Sequence, residues 1–143
     1  MGTDTRSADP KAIVRRCFED VMVRGDLSAA DEILEHDVVF HTAIGTTLNG
    51  RREFQHFAQQ TREAFPDLHF DIEEEIREGE VVCTRYTMSG TFLSTLMGLL
   101  PNGEAFSVRG LDTFRVRNGK IVEIYASYDT LGQMQQLGVV PKI

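Results

Sequence analysis

The sequence predicts an α+β fold in which helices cover one face of a curled antiparallel sheet. Apolar residues recur at helical spacing up to Pro66, and from Leu68 onward the period changes to two. The dipeptide Asn118-Gly119 separates two alternating segments and predicts a hairpin with a two-residue type I′ turn. Helices that precede a run of antiparallel strands are typical of this fold class.

Length and charge limit the classes of protein that fit. The 143 residues predict one domain over residues 1–143, with a flexible segment at residues 1–9. The net charge of -7 disfavours nucleic-acid and anionic-membrane partners, because both require a basic surface. The N-terminal segment lacks the apolar core of a signal peptide, and no apolar run is long enough to span a membrane. We therefore expect a cytoplasmic protein.

Three helices are predicted in the first half of the chain. Asp9-Pro10 supplies an N-cap followed by proline at the first helical position, and Gly25 ends the first helix. A short second helix begins at Ser28. The third helix begins near Asn49 and ends before Pro66, whose ring forbids its continuation.

Strands fill most of the second half. Residues 68–72 and 80–91 alternate as strands, and the final strands form the hairpin around Asn118-Gly119. Residues 93–102 are an apolar loop that either caps a pocket or contributes to a subunit interface. Residues 131–137 are expected to form a closing turn or short helix.

The terminal hairpin carries the candidate chemistry. Without a bulge, its register pairs Phe114 with Glu123 and Asp112 with Tyr125, and it brings Asp129 to the same face. Basic residues are concentrated on the opposite face. A half-apolar face that holds three acids and two aromatic rings is interpreted as the wall of a pocket.

Asp129 is the first candidate for a catalytic group. An apolar pocket disfavours the charged form of a carboxyl group, and its pKa then rises toward the range of a general base. Such a base takes a proton from a methylene group between two carbonyls. The alternative is a strand-end aspartate whose side chain caps the following turn.

Asp112 and Glu123 are the other acids of the predicted pocket. Two carboxylates that share a pocket have separated pKa values, which gives one acid and one base, as the attack of water on an epoxide requires. In the alternative interpretation, Glu123 forms an ion pair with Arg85 or Arg115 at the edge of the sheet.

Several further side chains are candidates for substrate binding. Tyr125 and Tyr86 are able to donate hydrogen bonds to an enolate oxygen. An inward-facing Arg85 would bind a substrate carboxylate or neutralise one of the acids, whereas a bulge would turn it outward. His41 follows a short strand and would reach the pocket mouth, although a lone histidine there is more often structural. We expect no metal, because successive residues of the acidic run at 73–75 point to opposite faces of a strand.

The other face of the sheet predicts a homodimer. Leu111, Thr113, Ile124 and Ala126 are assigned to this outer face, which would then be apolar enough to need cover.

Five features occur along the chain as a recognisable set: Phe65-Pro66-Asp67, the strand at residues 81–91, the NGKIVE segment at residues 118–123, Asp129, and Gln136-Leu137-Gly138. Together they resemble the motifs of the SnoaL-like polyketide cyclases, small members of the nuclear-transport-factor-2-like superfamily. The resemblance covers nearly the whole chain. It implies a cone in which a strongly curved sheet wraps on three helices and encloses a deep pocket, frequently in a dimer.

The resemblance also implies site residues. The family's catalytic aspartate corresponds to Asp129, and the aromatic residue four positions earlier corresponds to Tyr125. The family commonly has a histidine where this chain has Phe92, and often one at or beside Phe114. We place both phenylalanines among the substrate-binding residues, and the aspartate is carried over without the histidines.

Three hypotheses follow. The first is a cofactor-independent enzyme that closes a ring by an aldol-type reaction on a hydrophobic, carbonyl-rich substrate, with Asp129 as acid and base. The second keeps the fold but assigns epoxide opening or isomerisation, with Asp112 and Asp129 sharing the work. The third is a non-catalytic domain for binding a small molecule or for dimerisation, because one fold hosts many functions.

Overall fold

The computed structural model of the chain describes residues 9–142. The predicted flexible segment thus lies outside the described residues except for Asp9. The elements in chain order are α1 (Pro10–Arg16) with a π-helical continuation (Cys17–Val23), α2 (Leu27–Ile33), β1 (Leu34–His41), β2 (Thr47–Asn49), α3 (Arg51–Ala64), β3 (His69–Glu78), β4 (Val81–Thr91), β5 (Ala105–Arg117), β6 (Lys120–Tyr125) and α4 (Thr130–Gln136).

The helix boundaries follow from local chemistry. The Asp9 carboxylate accepts a hydrogen bond from the Lys11 N–H at 3.0 Å, and Pro10 occupies the first helical position, as predicted. Gly25 follows the π-helical segment with a φ of +70°. The predicted cap of α2 at Ser28 is wrong by two residues, because Asp26 accepts from the backbone of that helix's first turn.

The six strands form one curved, unclosed sheet in the order β2-β1-β6-β5-β4-β3. Strands β3 to β6 pair antiparallel, which confirms the predicted fold class. β1 adds to β6 in parallel, so the complete sheet is mixed. The Asn118-Gly119 turn is confirmed, because β5 and β6 pair across it and both residues have positive φ angles, 53° and 77°.

A β-bulge changes the register of the terminal hairpin. Val116 pairs with Ile121, but Arg115 pairs with Glu123, which leaves Val122 as an extra residue in β6. The predicted unbulged register is therefore wrong. Because side chains alternate along a strand, one extra residue moves every later side chain of β6 to the opposite face.

The core fills the concave side of the sheet. Side chains of the π-helical segment reach this side, where the Phe18 ring lies 5.0 to 5.5 Å from the rings of Phe70, Tyr86 and Phe114. Ring pairs at these distances add to the free energy gained by burial of apolar surface. Among the described residues, no helix has the length and apolar character needed to cross a membrane.

Candidate active site

A cavity of about 640 Å³ lies between the helices and the concave face of the sheet. Its lining is predominantly apolar, and the larger polar side chains that contribute to it include Tyr86, Asp112, Tyr128 and Gln133. Leu96, Met97 and Leu99 of the loop at 93–102 also line it. Of the two roles considered for this loop, the structure supports covering of the pocket.

Asp112 is the acid that lies in this cavity. It belongs to β5, where residues at alternate positions face inward, and it is only 6% exposed. Its Oδ1 atom accepts hydrogen bonds from the Tyr86 hydroxyl at 2.9 Å and from the Ser127 backbone N–H at 3.0 Å. Within residues 9–142, no hydrogen bond reaches Oδ2. One carboxylate oxygen is thus held in place, and the other is left for a ligand.

Burial determines the protonation of Asp112. Loss of hydration raises the pKa of this carboxyl group to about 7, although the hydrogen bonds from Ser127 and Tyr86 act in the opposite direction. Burial is the main cause of raised pKa values of the Cys17 thiol and of the Tyr86 and Tyr128 hydroxyl groups. The negative charge of Asp112 is the second cause. Near neutral pH, Asp112 is therefore able both to accept and to release a proton.

A glycine makes room for the Tyr86–Asp112 hydrogen bond. Gly110 pairs with Tyr86 across β4 and β5, and the tyrosine ring lies over it. A Cβ atom at this position would lie 2.3 Å from the Tyr86 Cζ atom. Any side chain there would displace the ring from Asp112, so Gly110 is part of the site's construction.

Tyr128 and Gln133 belong to the site but were missed in the sequence analysis. Tyr128 forms a bridge with Gly110 beyond the end of β6, which places it beside Asp112 on the inner face. Gln133 is 6% exposed and lies on α4. Its side-chain amide has no hydrogen-bond partner within the described part of the chain. The one available signal is its spacing of four residues from Leu137, which is also buried.

Asp129 occupies a different environment from the one predicted. It is exposed, does not line the cavity and caps α4, with its Oδ1 atom accepting from the Gly132 N–H at 2.8 Å. The prediction that it shares a pocket face with Asp112 is wrong. Its position matches the alternative interpretation, a carboxylate that caps the following turn.

Glu123, Tyr125 and His41 form a cluster on the outer face of the sheet. The bulge at Val122 turns the first two outward, so the prediction that they face the pocket is wrong. The Glu123 Oε2 atom lies 2.8 Å from the His41 Nε2 atom, and the His41 ring stacks on Tyr125 at 4.0 Å. The hydrogen bond with His41 is the main cause of a lowered pKa of Glu123. His41 is thus this glutamate's partner, in place of the arginine that the alternative interpretation assigned to it.

The remaining predicted residues divide between cavity, core and surface. Phe114 and Tyr86 line the cavity. Phe92 is buried against Phe65 and does not reach the cavity. Arg85 is exposed on the outer face, where it pairs with Glu73 and Glu74. The prediction that Arg85 faces inward is therefore wrong, and its side chain is not placed to bind a carboxylate in the cavity.

The surface from which the homodimer was predicted also differs in composition from the prediction. Ile124 is only 2% exposed and Ala126 lines the cavity, so two of its four residues face inward. Leu111 and Tyr125 do lie outside and are about half exposed.

A homodimer through this face stays a prediction. We expect sedimentation at micromolar concentration to show a dimer and a Leu111→Glu variant to be monomeric, and a monomeric wild-type chain would contradict it.

The comparison with protein families decides the assignment. A sequence model of the SnoaL-like polyketide cyclases matches residues 12–137, a range that includes every cavity residue discussed above. The chain belongs to the SnoaL-like polyketide cyclase family. The family resemblance inferred from the motifs is thereby confirmed. No curated protein matches the chain.

Several solved structures share the fold of this chain. IdmH from Streptomyces antibioticus, described as a candidate polyketide cyclase, is 28% identical, covers 92% of this chain and 100% of its own, and has a TM-score of 0.80. A SnoaL-like protein from Jannaschia sp. CCS1 is 20% identical with a TM-score of 0.85, over 98% of this chain and all of its own. AclR from Streptomyces galilaeus, described as a candidate hydroxylase, is 23% identical with a TM-score of 0.78, over 94% and 87% of the two chains.

Proposed function

We propose that this SnoaL-like protein is a cyclase in which Asp112 acts as the acid and base of an intramolecular aldol-type ring closure. The observation that carries the proposal is the environment of this carboxyl group. It lies in an apolar cavity, its pKa is raised to about 7, and its Oδ2 atom is left unpaired by residues 9–142. A base of this kind is suited to proton transfer at neutral pH.

The reaction begins with removal of a proton from a methylene group between two carbonyls. The C–H bond breaks, the proton goes to Oδ2 of Asp112, and the electron pair forms an enolate. The enolate carbon attacks a ketone of the same molecule, and the protonated Asp112 returns a proton to the resulting alkoxide. The Tyr128 hydroxyl and the Gln133 amide line the same cavity and are suited to donate hydrogen bonds to the charged oxygens.

The lining of the cavity favours an uncharged, largely apolar substrate. Among the described residues that line it there is no Lys, Arg or His, so a free carboxylate would have no partner of opposite charge. The volume of about 640 Å³ lies in the range of sites for small organic ligands. A bulky substrate held in a folded conformation gains most of its acceleration from proximity of the reacting carbons.

Epoxide opening has less support. The corresponding hypothesis assigned one acid and one base to two neighbouring carboxylates, and Asp112 is the single carboxylic acid among the described cavity residues. The IdmH description, a candidate polyketide cyclase, supports a ring closure. A domain that only binds a ligand would have the same cavity but no turnover.

The test compares Asp112→Asn with Asp129→Asn on a panel of β-dicarbonyl esters that carry a further ketone. Both variants exchange a carboxylate for a nearly isosteric amide, but only the first alters the cavity. We expect Asp112→Asn to lower kcat by about 10² or more, and Asp129→Asn to retain wild-type kcat because asparagine also caps helices. Full activity of Asp112→Asn would refute the proposal. Loss confined to Asp129→Asn would restore the assignment implied by the family resemblance.

A further inference from the structure

A row of three polar side chains crosses the inner face of the sheet. Glu75 of β3 pairs directly with Thr84 of β4, and Thr84 pairs directly with Asp112 of β5. Directly opposite residues share one face, with Cβ atoms about 4.5–5.5 Å apart. The surrounding positions of this face are mostly apolar, so the row is a polar connection through the core.

Two atoms of the row are buried without a hydrogen-bond partner in the described part of the chain. They are Oε2 of Glu75 and Oγ1 of Thr84. Thr84 is fully buried, and the Glu75 side chain is 6% exposed. An unsatisfied buried polar atom destabilises the folded chain, and ordered water commonly satisfies such groups. The two atoms belong to residues that pair directly across β3 and β4.

The ends of the row open on different sides. Asp112 lines the central cavity, whereas Glu75 lines a separate polar groove of about 480 Å³ to which Arg15 and Glu19 also contribute. Arg15 donates to the Oε1 atom of Glu75. This ion pair accounts for one oxygen of Glu75 and attaches α1 to β3. It does not account for Oε2 or for the Thr84 hydroxyl.

We propose that Thr84 and Glu75, together with ordered water, conduct protons between Asp112 and the polar groove. This inference rests on the proposed role of Asp112 as the base. A substrate that fills the cavity separates Asp112 from bulk water, so a proton that Asp112 still carries when the substrate binds has no exit through the mouth. Along the row the Asp112 proton passes to water and the Thr84 hydroxyl, and a proton leaves at Glu75 for solvent. The reverse transfer reprotonates Asp112, and no net charge accumulates.

The residue type at position 84 separates this role from a structural one. Valine has nearly the same shape as threonine without the hydroxyl, so a purely structural position would gain stability from it. Thr84→Ser retains the hydroxyl. Glu75→Gln removes the carboxylate, and Glu74→Gln is its matched control one residue away, where Glu74 is exposed and pairs with Arg85.

The experiment measures hydrogen exchange at carbon in D₂O by NMR. The probe is a β-keto ester with one activated C–H and an alkyl chain long enough to fill the cavity; it has no second ketone and cannot close a ring. We expect Thr84→Val and Glu75→Gln to slow the enzyme-dependent exchange by about tenfold or more, with unchanged Kd for the probe. Thr84→Ser and Glu74→Gln should exchange at the wild-type rate.

The outcomes distinguish the two proposals. If the wild-type chain exchanges faster than Asp112→Asn but Thr84→Val matches the wild type, the proton path is refuted and the proposed function stands. If the wild-type chain exchanges no faster than Asp112→Asn, both proposals fail. Should Thr84→Val not fold, the difference between Glu75→Gln and Glu74→Gln decides in the same way.

Discussion

Asp112 and Asp129 lie close together in the chain but have opposite surroundings. Asp112 is buried in an apolar cavity, with Oδ1 held by Tyr86 and Ser127. Asp129 is exposed and caps α4 through the Gly132 N–H. The first environment raises the pKa of the carboxyl group toward neutrality, whereas the second uses a carboxylate to satisfy a helix terminus.

The difference between Asp112 and Asp129 shows that the surroundings of a carboxyl group, more than its place in a motif, determine its chemistry. The motif resemblance favoured Asp129 because it stands near the end of the last strand. Burial, hydrogen bonds and an open oxygen favour Asp112. We expect the two carboxyl groups to differ as their surroundings require.

The largest expected effect is on the pH dependence of stability. The folded-state pKa of Asp112 is raised from 3.8 to about 7, so the folded chain holds this proton after the unfolded chain has released it. The stability associated with that proton is present below pH 4 and is lost as pH rises to 7. Relative to the wild type, Asp112→Asn should therefore gain ~4 kcal/mol in free energy of unfolding over this interval.

Urea denaturation of both proteins at closely spaced pH values measures this difference. Other titrating groups are shared and cancel in the comparison. Asp129→Asn is the matched control and should follow the wild-type curve. A constant difference between Asp112→Asn and the wild type from pH 4 to 7 would show that the Asp112 pKa is not raised.

A second prediction concerns the support of Asp112 by Tyr86. In Gly110→Ala the added Cβ would meet the Tyr86 ring at 2.3 Å, so the ring must move away from the carboxylate. We expect a loss of about 1–3 kcal/mol in stability, typical of an overpacked core. Loss of the hydrogen bond from Tyr86 should also raise the pKa of Asp112 further. Thermal denaturation and the pH–rate profile measure the two effects, and an unchanged profile would contradict the account.

The smallest expected effect concerns the cap at Asp129. Asp129→Ala should lower stability by about 1 kcal/mol, because the Gly132 N–H loses its acceptor. Turnover should be unaffected at temperatures where the variant is folded. Chemical denaturation and kcat are measured on the same preparation. A large fall in kcat without a change in stability would identify Asp129 as catalytic and remove the distinction between the two acids.

The sequence carried enough information for the fold and for one acid of the site. Helical and alternating periods predicted the helices and the antiparallel strands, and the Asn118-Gly119 turn predicted the hairpin. Asp112 was placed on the inner face because β5 is regular from the turn onward. Each of these features depends on local patterns that a single sequence contains.

The residues of β6 that were assigned to the wrong face depended on one backbone irregularity. The extra residue at Val122 has no distinctive sequence signal, yet it turns Glu123 and Tyr125 outward and brings Ile124 inward. Tyr128 and Gln133 enter the site through the path of the chain after β6, which tertiary packing determines. Alternation alone could not have identified these two residues.

The most direct test of the account is the titration of the Asp112 carboxyl group by ¹³C NMR in a chain labelled at aspartate. The signal is assigned by its absence from Asp112→Asn. We expect a midpoint near pH 7, and a higher midpoint in Tyr86→Phe because a hydrogen bond that stabilises the carboxylate is lost. A midpoint near the ordinary aspartate value of about 4 would contradict the claim that the cavity makes Asp112 a base for neutral pH.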